Sequence, residues 1–546
     1  MDGEHFAPLL LDFEKGGIGL TLPLDSFQIG ESSVPSRGEI LKVNRIYACH
    51  KYFGRKPWYP ISEKIRAYSS EGDTVFDPFL GSGVTAMESI NLRRNFLGVD
   101  LNPMSKFITE NTIDTNYNES LFDTEVGKLT ERMESVANEL YLSDTPCSQC
   151  DDFMVLCHVN NGPSFEPPFD CKFYCPSCGR NSRKAALERK ANTLDDKKMN
   201  KDYKISKWVP ETDFPEDFLK DRFSYKGITK VKQMYTPRNL YFLSELLHEI
   251  RHGQYANQRF FLLAFSNTVL HASKLKSENV RPLNTNNYWM PDDRFEENPW
   301  MRFLERIKLV RKSKAELLIR NEKRKIGSAT IQTTSSLKME LDDSSIDYII
   351  TDPPYGEAIQ YYELSFIWNA WLDTEYQPDE EVIINSKQNK KVEDYIDFMK
   401  QSVEECARVL KVGGHYTLCF QNKDFKIWSD LLNLFKSNNF EFVEVDIIDL
   451  KGTPFNVNWK SFSPSADIYI TFKLGTYKSI NDSMNNINEI VEKCLVEGQD
   501  DSVPDLYNRV IEKLIRDLYL CENPVDVSKL SIDSLLETME GHHARN

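Results

Sequence analysis

Two short segments, separated by about 270 residues, constrain the fold of this chain more than any other feature. Residues 74–85 read TVFDPFLGSGVT and residues 349–356 read IITDPPYG. Each opens with an apolar run that is typical of a strand buried on both faces of a parallel sheet. Each run ends at an aspartate, and a turn of glycines or prolines follows. Doubly wound sheets bind ligands at the carboxyl ends of such strands, so both turns are candidate binding elements.

The strands and helices predicted around these segments form one sheet built from two sequence blocks. Residues 74–101 follow the order strand, glycine turn, helix and strand, which makes a βαβ unit. Alternation then stops and resumes at residues 329–333 and 346–351. Two further segments, 440–450 and 466–472, are predicted to form an antiparallel pair that closes the sheet. About seven strands result, with helices between them, which predicts an α/β fold.

The chain of 546 residues is long for one domain, and we divide it into five predicted parts. The middle part lacks strand–helix alternation and is predicted to be a large, mostly helical insertion. The parts are an N-terminal wrap (1–40), the first sheet block (41–110), the insertion (111–327), the second sheet block (328–475) and a small, acidic helical tail (476–546).

Composition narrows the class of protein further. Apolar residues make up 40% of the chain, but no run of about 18 apolar residues is present to span a membrane. Asp2, Glu4 and His5 precede a short apolar stretch, which does not match a secretory signal. The eleven cysteines are odd in number, and six of them lie between residues 147 and 178. A secreted disulfide scaffold is therefore not expected, and we expect a soluble intracellular protein.

Charge is spread unevenly along the chain. The net charge of −16 argues mildly against a nucleic-acid partner, although binding depends on local patches. Residues 301–326 hold ten basic side chains against three glutamates. This run could lie along phosphates or form the solvated face of a helix, and the sequence leaves both readings open. Four aromatic residues of the insertion are equally open between a core role and a contact with bases: Tyr235, Tyr288, Trp289 and Trp300.

The glycine turn is a candidate cofactor site. Gly81 and Gly83 let the backbone approach a ligand closely, and the helix that follows offers its N-terminus to a carboxylate. Asp77 ends the first strand, and Asp100 ends the second, where an acid typically binds both ribose hydroxyls. The alternative is an ordinary strand–helix turn. The two acids and the glycine turn, at the spacing of a βαβ unit, favour a cofactor site. The turn departs from the GxGxxG fingerprint of dinucleotide-binding proteins, which argues against a nicotinamide cofactor.

Residues 352–355 are the candidate catalytic site. Their chemistry suits the exocyclic amine of a nucleobase, which is a poor nucleophile because the nitrogen lone pair is delocalised into the ring. The Asp352 carboxylate and a backbone carbonyl can accept the two N–H groups and bias the nitrogen toward tetrahedral geometry. Pro353 and Pro354 make a rigid turn, and Tyr355 can stack on the base. A tight surface turn is the alternative, which is disfavoured because the motif follows a strand.

Two CxxC knuckles within residues 145–180 predict a structural zinc site. Four thiolates in two short turns match tetrahedral Zn²⁺, and a closed set of this kind is structural rather than catalytic. Buried or free cysteines and a redox CxxC are the weaker alternatives. The predicted ligands are Cys147, Cys150, Cys175 and Cys178, and Cys157, His158 or Cys171 could replace one of them. Basic residues follow directly at Arg180, Arg183 and Lys184.

Together, the glycine turn and the DPPY sequence resemble the DNA amino-methyltransferases that make N6-methyladenine or N4-methylcytosine. The resemblance covers both sheet blocks, somewhat under half of the chain. It implies a Rossmann-like seven-stranded sheet, S-adenosylmethionine as cofactor and DNA as substrate. The order of cofactor turn, insertion and DPPY is that of the family's alpha class, whereas the DPFxGSG wording is commoner in its beta class.

Site residues follow from the resemblance by position. Residues 50–57, which include Lys56, resemble the segment that packs on the methionine end of the cofactor. Ser335 or Ser336 stands where family members often place an acid that contacts the cofactor's adenine. The resemblance assigns Asp77, Pro78, Gly81, Gly83 and Asp100 to the cofactor, and Asp352, Pro353, Pro354 and Tyr355 to the target base.

The resemblance therefore predicts a DNA methyltransferase that acts on adenine N6, because the family's cytosine-N4 enzymes often carry Ser where this chain has Asp352. Methyl transfer would be a direct in-line displacement onto a flipped base, and the insertion would read the target sequence. By resemblance, the protein belongs to a cytoplasmic, prokaryotic modification or defence system, whose other subunits would be further partners. The rival hypotheses are cytosine-N4 methylation of DNA, guanine-N2 methylation of RNA and a catalytically silent nucleic-acid-binding subunit.

Overall fold

The computed structural model describes residues 45–160, 169–178, 186–215, 227–277, 282, 290–291, 295–324, 326–449, 466–479, 486–498, 503–528, 530 and 534–535. The predicted wrap over residues 1–40 lies outside the described residues, as do Arg180, Arg183, Lys184, Tyr288 and Trp289.

Two compact units divide the chain, and each is formed from three segments. We call them the sheet unit and the insert unit. The sheet unit comprises Tyr52–Glu110, Arg320–Tyr362 and Tyr376–Asn546, and the insert unit comprises Met1–Lys51, Asn111–Ile319 and Glu363–Glu375.

Twelve strands are present among the described residues, in two sheets. In chain order they are β1 (Thr74–Asp77), β2 (Asn95–Asp100), β3 (Leu142–Pro146), β4 (Phe153–Asn160), β5 (Asp170–Tyr174), β6 (Ala186–Lys190), β7 (Phe295–Glu297), β8 (Ala329–Thr333), β9 (Ile346–Thr351), β10 (Leu410–Cys419), β11 (Phe440–Asp449) and β12 (Ala466–Leu474).

The α-helices flank these strands or join them. They are α1 (Trp58–Tyr68), α2 (Val84–Asn91), α3 (Pro103–Ile113), α4 (Glu119–Tyr141), α5 (Thr193–Asn200), α6 (Pro237–His252), α7 (Gln258–His271), α8 (Pro299–Arg324), α9 (Tyr361–Leu372), α10 (Val392–Val409), α11 (Phe425–Ser437), α12 (Ile487–Glu497) and α13 (Val503–Leu520). No helix within the described ranges is both long and apolar enough to cross a membrane.

The seven-stranded sheet of the sheet unit has the order β11-β12-β10-β9-β1-β2-β8. Strands β10, β9, β1, β2 and β8 run parallel, and β12 runs antiparallel between β10 and β11. The central strands are buried on both faces, and Phe76 and Ile349 are fully inaccessible to solvent. The prediction of an α/β sheet assembled from two sequence blocks is confirmed. The run Lys411–Gly414 lies within β10 as an irregularity of its pairing with β9.

The acidic tail packs on this sheet instead of forming a separate appendage. Helix α13 lies against β11 and α11, and its Leu514 and Tyr519 are buried in the core of the sheet unit. The Tyr519 hydroxyl donates a hydrogen bond of 2.8 Å to the Phe440 carbonyl. The tail therefore completes the core beside the closing strands.

The insert unit contains a sheet as well as helices. Strands β3, β4, β5 and β6 form an antiparallel series, and the short β7 pairs with β4. The insertion was predicted to be mostly helical, and the sequence carried no signal for these strands, which are three to eight residues long. Two of them carry the cysteine knuckles at their ends, so the small sheet is the scaffold of the predicted metal site.

The basic run lies on α8, where several of its charges face the protein. Lys314 is buried and donates to the carbonyls of Asn111, Thr112 and Asp114. Burial lowers the pKa of Lys314 to about 7. Arg302 and Arg311 form ion pairs with acidic residues of the same unit. The run is therefore neither a continuous phosphate-binding strip nor a fully solvated face, and Tyr235 and Trp300 are buried core residues.

Candidate functional site

The two motifs meet because β1 and β9 are adjacent parallel strands. Val75 pairs with Tyr348 and Phe76 with Ile349, so both strands end at the same edge of the sheet. At that edge the Thr351 hydroxyl donates a hydrogen bond of 2.6 Å to Oδ1 of Asp77. The last residue of one strand is thus bonded directly to the last residue of the other.

A cleft of about 810 Å³, partly open to solvent, lies at this edge within the sheet unit. Most of the residues predicted from the sequence line it, and both Ser335 and Ser336 are at its wall. The predicted site residues in its lining are Lys56, Asp77, Pro78, Gly81, Asp100, Asp352 and Pro354, whereas Gly83, Pro353 and Tyr355 lie outside the lining.

The glycine turn is fixed by Asp100. Oδ2 of Asp100 accepts a hydrogen bond of 2.8 Å from the Gly81 amide, and Oδ1 accepts one of 2.8 Å from the Asn102 amide. Burial raises the pKa of Asp100 to about 6. Each carboxylate oxygen retains a second lone pair, since an ionised carboxylate has about four acceptor positions in all. The acid that holds the turn is therefore also able to accept hydrogen bonds from a ligand in the cleft.

Gly83 has a conformational role. It is the residue before α2 and has φ of 73°, in the left-handed region. A Cβ at this position would lie 2.4 Å from the Thr109 side chain. Glycine is therefore required for both backbone conformation and space, and its contribution to ligand binding is the position of the α2 N-terminus.

Asp77 links the two motifs from a buried position. Besides the Thr351 hydroxyl, its Oδ1 accepts a hydrogen bond of 3.1 Å from the Phe79 amide. Burial raises the pKa of Asp77 to about 6, and these hydrogen bonds act in the opposite direction. Asp77 therefore fixes the start of the glycine turn relative to the end of β9.

Asp352 stands directly after β9 with Tyr355 beside it. The Tyr355 hydroxyl donates a hydrogen bond to Oδ1 of Asp352 and lies 3.6 Å from the Cys419 sulfur. The ring of Tyr355 meets Phe420 edge to face, with centroids 5.3 Å apart. Burial raises the pKa of Asp352 to about 7, while the positive charge of Lys56 opposes this shift.

Two residues from other elements hold the backbone of the motif, and neither belonged to a recognisable sequence pattern. The Tyr395 hydroxyl on α10 donates a hydrogen bond of 2.8 Å to the Pro354 carbonyl. The Asn422 amide, which follows β10, donates one of 3.2 Å to the Tyr355 carbonyl. Both bonds restrain the backbone of the turn, so the Asp352 side chain extends from a fixed backbone.

Lys56 lies beside Asp352, where the sequence predicted only a cofactor contact. Its Nζ donates a hydrogen bond of 2.7 Å to Oδ1 of Asp467 and lies 3.9 Å from Oδ1 of Asp352. The same nitrogen is 4.9 Å from the centroid of the Tyr355 ring. Asp467 was not predicted as a site residue, because it lies on the closing strand β12 with no motif around it.

Aromatic residues that the sequence did not assign form another part of the cleft wall. The rings of Tyr52 and Tyr361 stack with centroids 6.1 Å apart, and Tyr376 also lines the cleft. Tyr361 begins α9, so the segment after DPPY is both a helix start and a border of the cleft. These flat faces suit a planar ligand.

The four predicted metal ligands converge in the insert unit. The ligand atoms of Cys147, Cys150, Cys175 and Cys178 all lie within 4.8 Å of one another. Three of the sulfur–sulfur distances are 3.9, 3.4 and 3.4 Å. A tetrahedral site with Zn–S bonds of about 2.3 Å requires sulfur–sulfur distances of about 3.8 Å. The distances fit this site and exclude disulfide bonds, which need about 2.05 Å.

The knuckles have the local geometry of metal-binding turns. The Gln149 amide points at the Cys147 sulfur and the Cys178 amide at the Cys175 sulfur, each at 3.4 Å. Cys157, His158 and Cys171 are outside the four-thiol group. The ring of His158 packs on Phe295 instead, with centroids 3.9 Å apart. Within the described residues, the four predicted cysteines are thus a closed set of ligands.

Comparison with known proteins shows what the sheet blocks are similar to. The family model for N6/N4 methyltransferases, described as DNA methylase, matches residues 27–110 and 346–517. The Type II methyltransferase M.BglI of Bacillus subtilis is 33% identical over 75 residues, which are 14% of this chain and 21% of that protein. M.HpaI of Haemophilus parainfluenzae, also a Type II methyltransferase, is 30% identical over 143 residues, 24% of this chain and 44% of that protein.

The chain spans less than half the length of the curated relatives it matches. A solved SAM-dependent methyltransferase from Methanosarcina mazei aligns with a TM-score of 0.17 and 11% identity, over 28% of this chain and 68% of that one. The family match covers the glycine turn and the DPPY motif and leaves out the insertion. Six of the seven strands of the large sheet thus lie in segments that are similar to the DNA methylase family of N6 and N4 amino-methyltransferases.

Proposed function

We propose that this protein transfers the methyl group of S-adenosylmethionine to the exocyclic amino group of a base in DNA, with adenine N6 as the target. The observation that carries the proposal is the meeting of Asp352 and the Gly81 turn in one cleft. A methyl donor held by the turn and an amine held by the carboxylate would then lie within one reaction site. The Type II methyltransferases among the relatives support a role in a prokaryotic modification system.

The residues of the glycine turn fit the cofactor. Asp100 has acceptor positions for the two ribose hydroxyls, and the N-terminus of α2 offers amides to a carboxylate. Ser335, Ser336 and the ring of Tyr52 border the same cleft and suit an adenine ring. When bound, S-adenosylmethionine supplies a methyl group on a sulfonium, which is the electrophile of the reaction.

Asp352 would orient and activate the attacking amine. As the nitrogen–carbon bond forms and the carbon–sulfur bond breaks, positive charge develops on the nitrogen. An ionised Asp352 that accepts one N–H stabilises this charge, and the surplus proton then leaves for water. The Tyr355 hydroxyl already donates to one oxygen of Asp352 and so fixes the orientation of the carboxylate.

Access to a base in duplex DNA requires that the base be flipped out of the stack. We expect Tyr355 and the aromatic wall of the cleft to hold the flipped base by stacking. Asp at position 352 favours adenine over cytosine within this family. The insert unit, with its zinc element, would read the DNA sequence around the target.

The first prediction concerns the product. Incubation of the protein with unmethylated genomic DNA and tritiated S-adenosylmethionine should label the DNA, and nucleoside mass spectrometry should identify N6-methyladenine. RNA assayed in parallel should remain unlabelled. N4-methylcytosine in the DNA would correct the target base, and label confined to RNA would replace this function with guanine-N2 methylation. No label in either nucleic acid would favour a silent binding subunit.

The second prediction concerns Asp352. Replacing it in Asp352→Ala should abolish methyl transfer and leave cofactor affinity nearly unchanged, because its contact strengthens in the transition state. Turnover and calorimetric cofactor binding measure the two effects. Asp347→Ala is the matched control, since Asp347 lies at the other end of β9 and accepts from the Thr74 amide. Wild-type turnover in Asp352→Ala would refute the mechanism.

The second prediction extends to Tyr355, whose variants separate two roles of the same side chain. Tyr355→Ala should weaken capture of the base by about 1–3 kcal/mol if stacking resembles other base–aromatic contacts. Tyr355→Phe keeps the ring and removes only the hydroxyl that bonds Asp352, so it should affect kcat more than KM. Equal KM in all three proteins would exclude stacking by Tyr355.

The third prediction concerns Asp100. Asp100→Ala should lower the affinity for S-adenosylmethionine by about 1–3 kcal/mol, because two ribose hydroxyls lose their acceptor. Asp73→Ala is a suitable control, since Asp73 caps a turn that does not line the cleft. Unchanged calorimetric affinity in a folded Asp100→Ala protein would remove the ribose assignment.

The fourth prediction concerns the metal. Elemental analysis should find one Zn²⁺ per chain, and Cys175→Ser should lose it. Hydrogen exchange should then speed up in β3–β6 more than in β1 and β9, because structural zinc stabilises the fold locally. Cys171→Ser should keep the metal, since Cys171 is a buried neighbour outside the ligand set. A metal-free preparation with full activity and normal exchange in β3–β6 would rule out the zinc site.

A further inference from the structure

Lys56 and Asp467 form a largely buried ion pair next to the proposed catalytic carboxylate. The side chain of Lys56 is 13% exposed and that of Asp467 is 7% exposed. Their 2.7 Å hydrogen bond joins residues 411 positions apart, which no local motif requires. Lys56 thus has two negatively charged neighbours, one in direct contact and Asp352 at 3.9 Å.

The antiparallel course of β12 explains how Asp467 reaches this place. Strands β9 and β10 run parallel and end at the cleft, whereas β12 begins there. The Phe420 amide, just after β10, bonds to the Ile468 carbonyl at 3.0 Å. The first residues of the closing strand therefore lie at the same edge as Asp352, and Asp467 approaches Lys56 from behind the cleft lining.

Without Lys56, the charges around Asp352 would disfavour its ionised form. Burial and the negative charges of Asp467 and Asp77 all raise the pKa of Asp352, and Lys56 lowers it. For Lys56 itself, burial lowers the pKa, but the negative charges around it, those of Asp352 and Asp467 among them, raise it, so the lysine stays charged at neutral pH. The other titratable groups that face Asp352 are uncharged at neutral pH: Tyr355, Tyr361, Cys419 and Tyr469.

We propose, on the basis of the function proposed above, that Lys56 and Asp467 are positioning residues that keep Asp352 ionised and free to accept the amine. Lys56 supplies the positive charge. Asp467 holds this charge at 3.9 Å from Asp352, since a lysine released from Asp467 would move into direct contact with Asp352. A direct contact, added to the hydrogen bond from the Tyr355 hydroxyl, would fill both acceptor positions of Oδ1 and leave only Oδ2 for the amine. The pair thus gives Asp352 its charge without using up its hydrogen-bonding capacity.

The two residues therefore have opposite effects on the protonation of Asp352. In Lys56→Met, the midpoint for ionisation of Asp352 should rise by about 1–3 pH units, as for an acid that loses an opposite charge within 4–6 Å. In Asp467→Asn, the midpoint should fall, because a negative neighbour is removed and Lys56 approaches Asp352. A merely structural pair would not move the midpoint in opposite directions.

The fifth prediction is measured in two ways. Infrared difference spectra of the resting protein, recorded across pH 5–10, should show the carboxyl band of Asp352, identified by its loss in Asp352→Ala. The acidic limb of the kcat/KM profile for methyl transfer to genomic DNA should follow the same midpoint. Lys56→Met should regain turnover at high pH, whereas Asp467→Asn should lose turnover at every pH. Lys56→Arg should retain a midpoint close to that of the wild type.

Lys411→Met is the matched control, because Lys411 pairs with Asp347 at the opposite end of β9. Its midpoint should equal that of the wild type. If Lys56→Met does not fold, the isosteric Asp467→Asn variant still decides, since the proposal requires a downward shift of the midpoint together with loss of turnover at every pH.

The possible failures are distinguishable. An unshifted Asp352 band in folded Lys56→Met or Asp467→Asn would overturn the role of the pair, whatever the substrate. Loss of cofactor affinity in Lys56→Met with an unshifted band would instead make Lys56 a cofactor ligand. Full methyl transfer by Asp352→Ala would overturn the proposed function, and the proposal for Lys56 and Asp467 with it.

Discussion

The parallel pairing of β1 with β9 is the constraint on which the rest of the site depends. Local sequence determines each motif, but only this pairing places them at one edge of the sheet. The bond from the Thr351 hydroxyl to Asp77 fixes the relative position of the two strand ends. The pairing also buries the Asp77 carboxylate, which would otherwise be solvated. The hydrogen bonds that Asp77 accepts offset part of the free-energy cost of this burial. A shift of β9 along β1 by one residue would break this bond and turn Asp352 away from the cleft.

Whether the sequence predicted a site residue depends on how far apart along the chain the interacting residues lie. Asp77, Gly81, Gly83 and Asp100 lie within one βαβ unit, so their spacing along the chain reflects their spacing in space. The DPPY motif was recognisable because its four residues are contiguous. The four cysteines were recognisable because two-residue spacings are dictated by the geometry of a metal-binding turn. In each case the chemistry requires a short, fixed separation.

Asp467, Tyr395 and Asn422 could not be predicted in this way. Each comes to the site from a different strand or helix, and each makes a contact that depends on the register of the whole sheet. The role of the basic run on α8 could not be predicted from the sequence for a related reason. Its composition indicated charge, but only the packing of the insert unit shows that Lys314 faces inward. The small sheet of the insert unit was missed because its antiparallel strands do not alternate with helices, which is the pattern that marked the parallel strands of the large sheet.

The site combines the buried Asp77 with two partly buried carboxylates, Asp100 and Asp352, and this has a consequence for stability. Burial raises the pKa of Asp77 and of Asp100 to about 6 and that of Asp352 to about 7. An acid whose pKa is higher in the folded state binds more protons there than in the unfolded chain, so stability falls as pH rises through that interval. For these residues the interval runs from about pH 4, the usual range for aspartate, to about pH 6 or 7. At neutral pH the fold therefore holds negative charge that it would be more stable without.

The positive charge of Lys56, which lies 3.9 Å from Asp352 and is held by Asp467, reduces this cost while leaving the cleft open. Such an arrangement is expected where a charge is kept for binding or chemistry, since a cleft shaped by stability alone would favour apolar side chains.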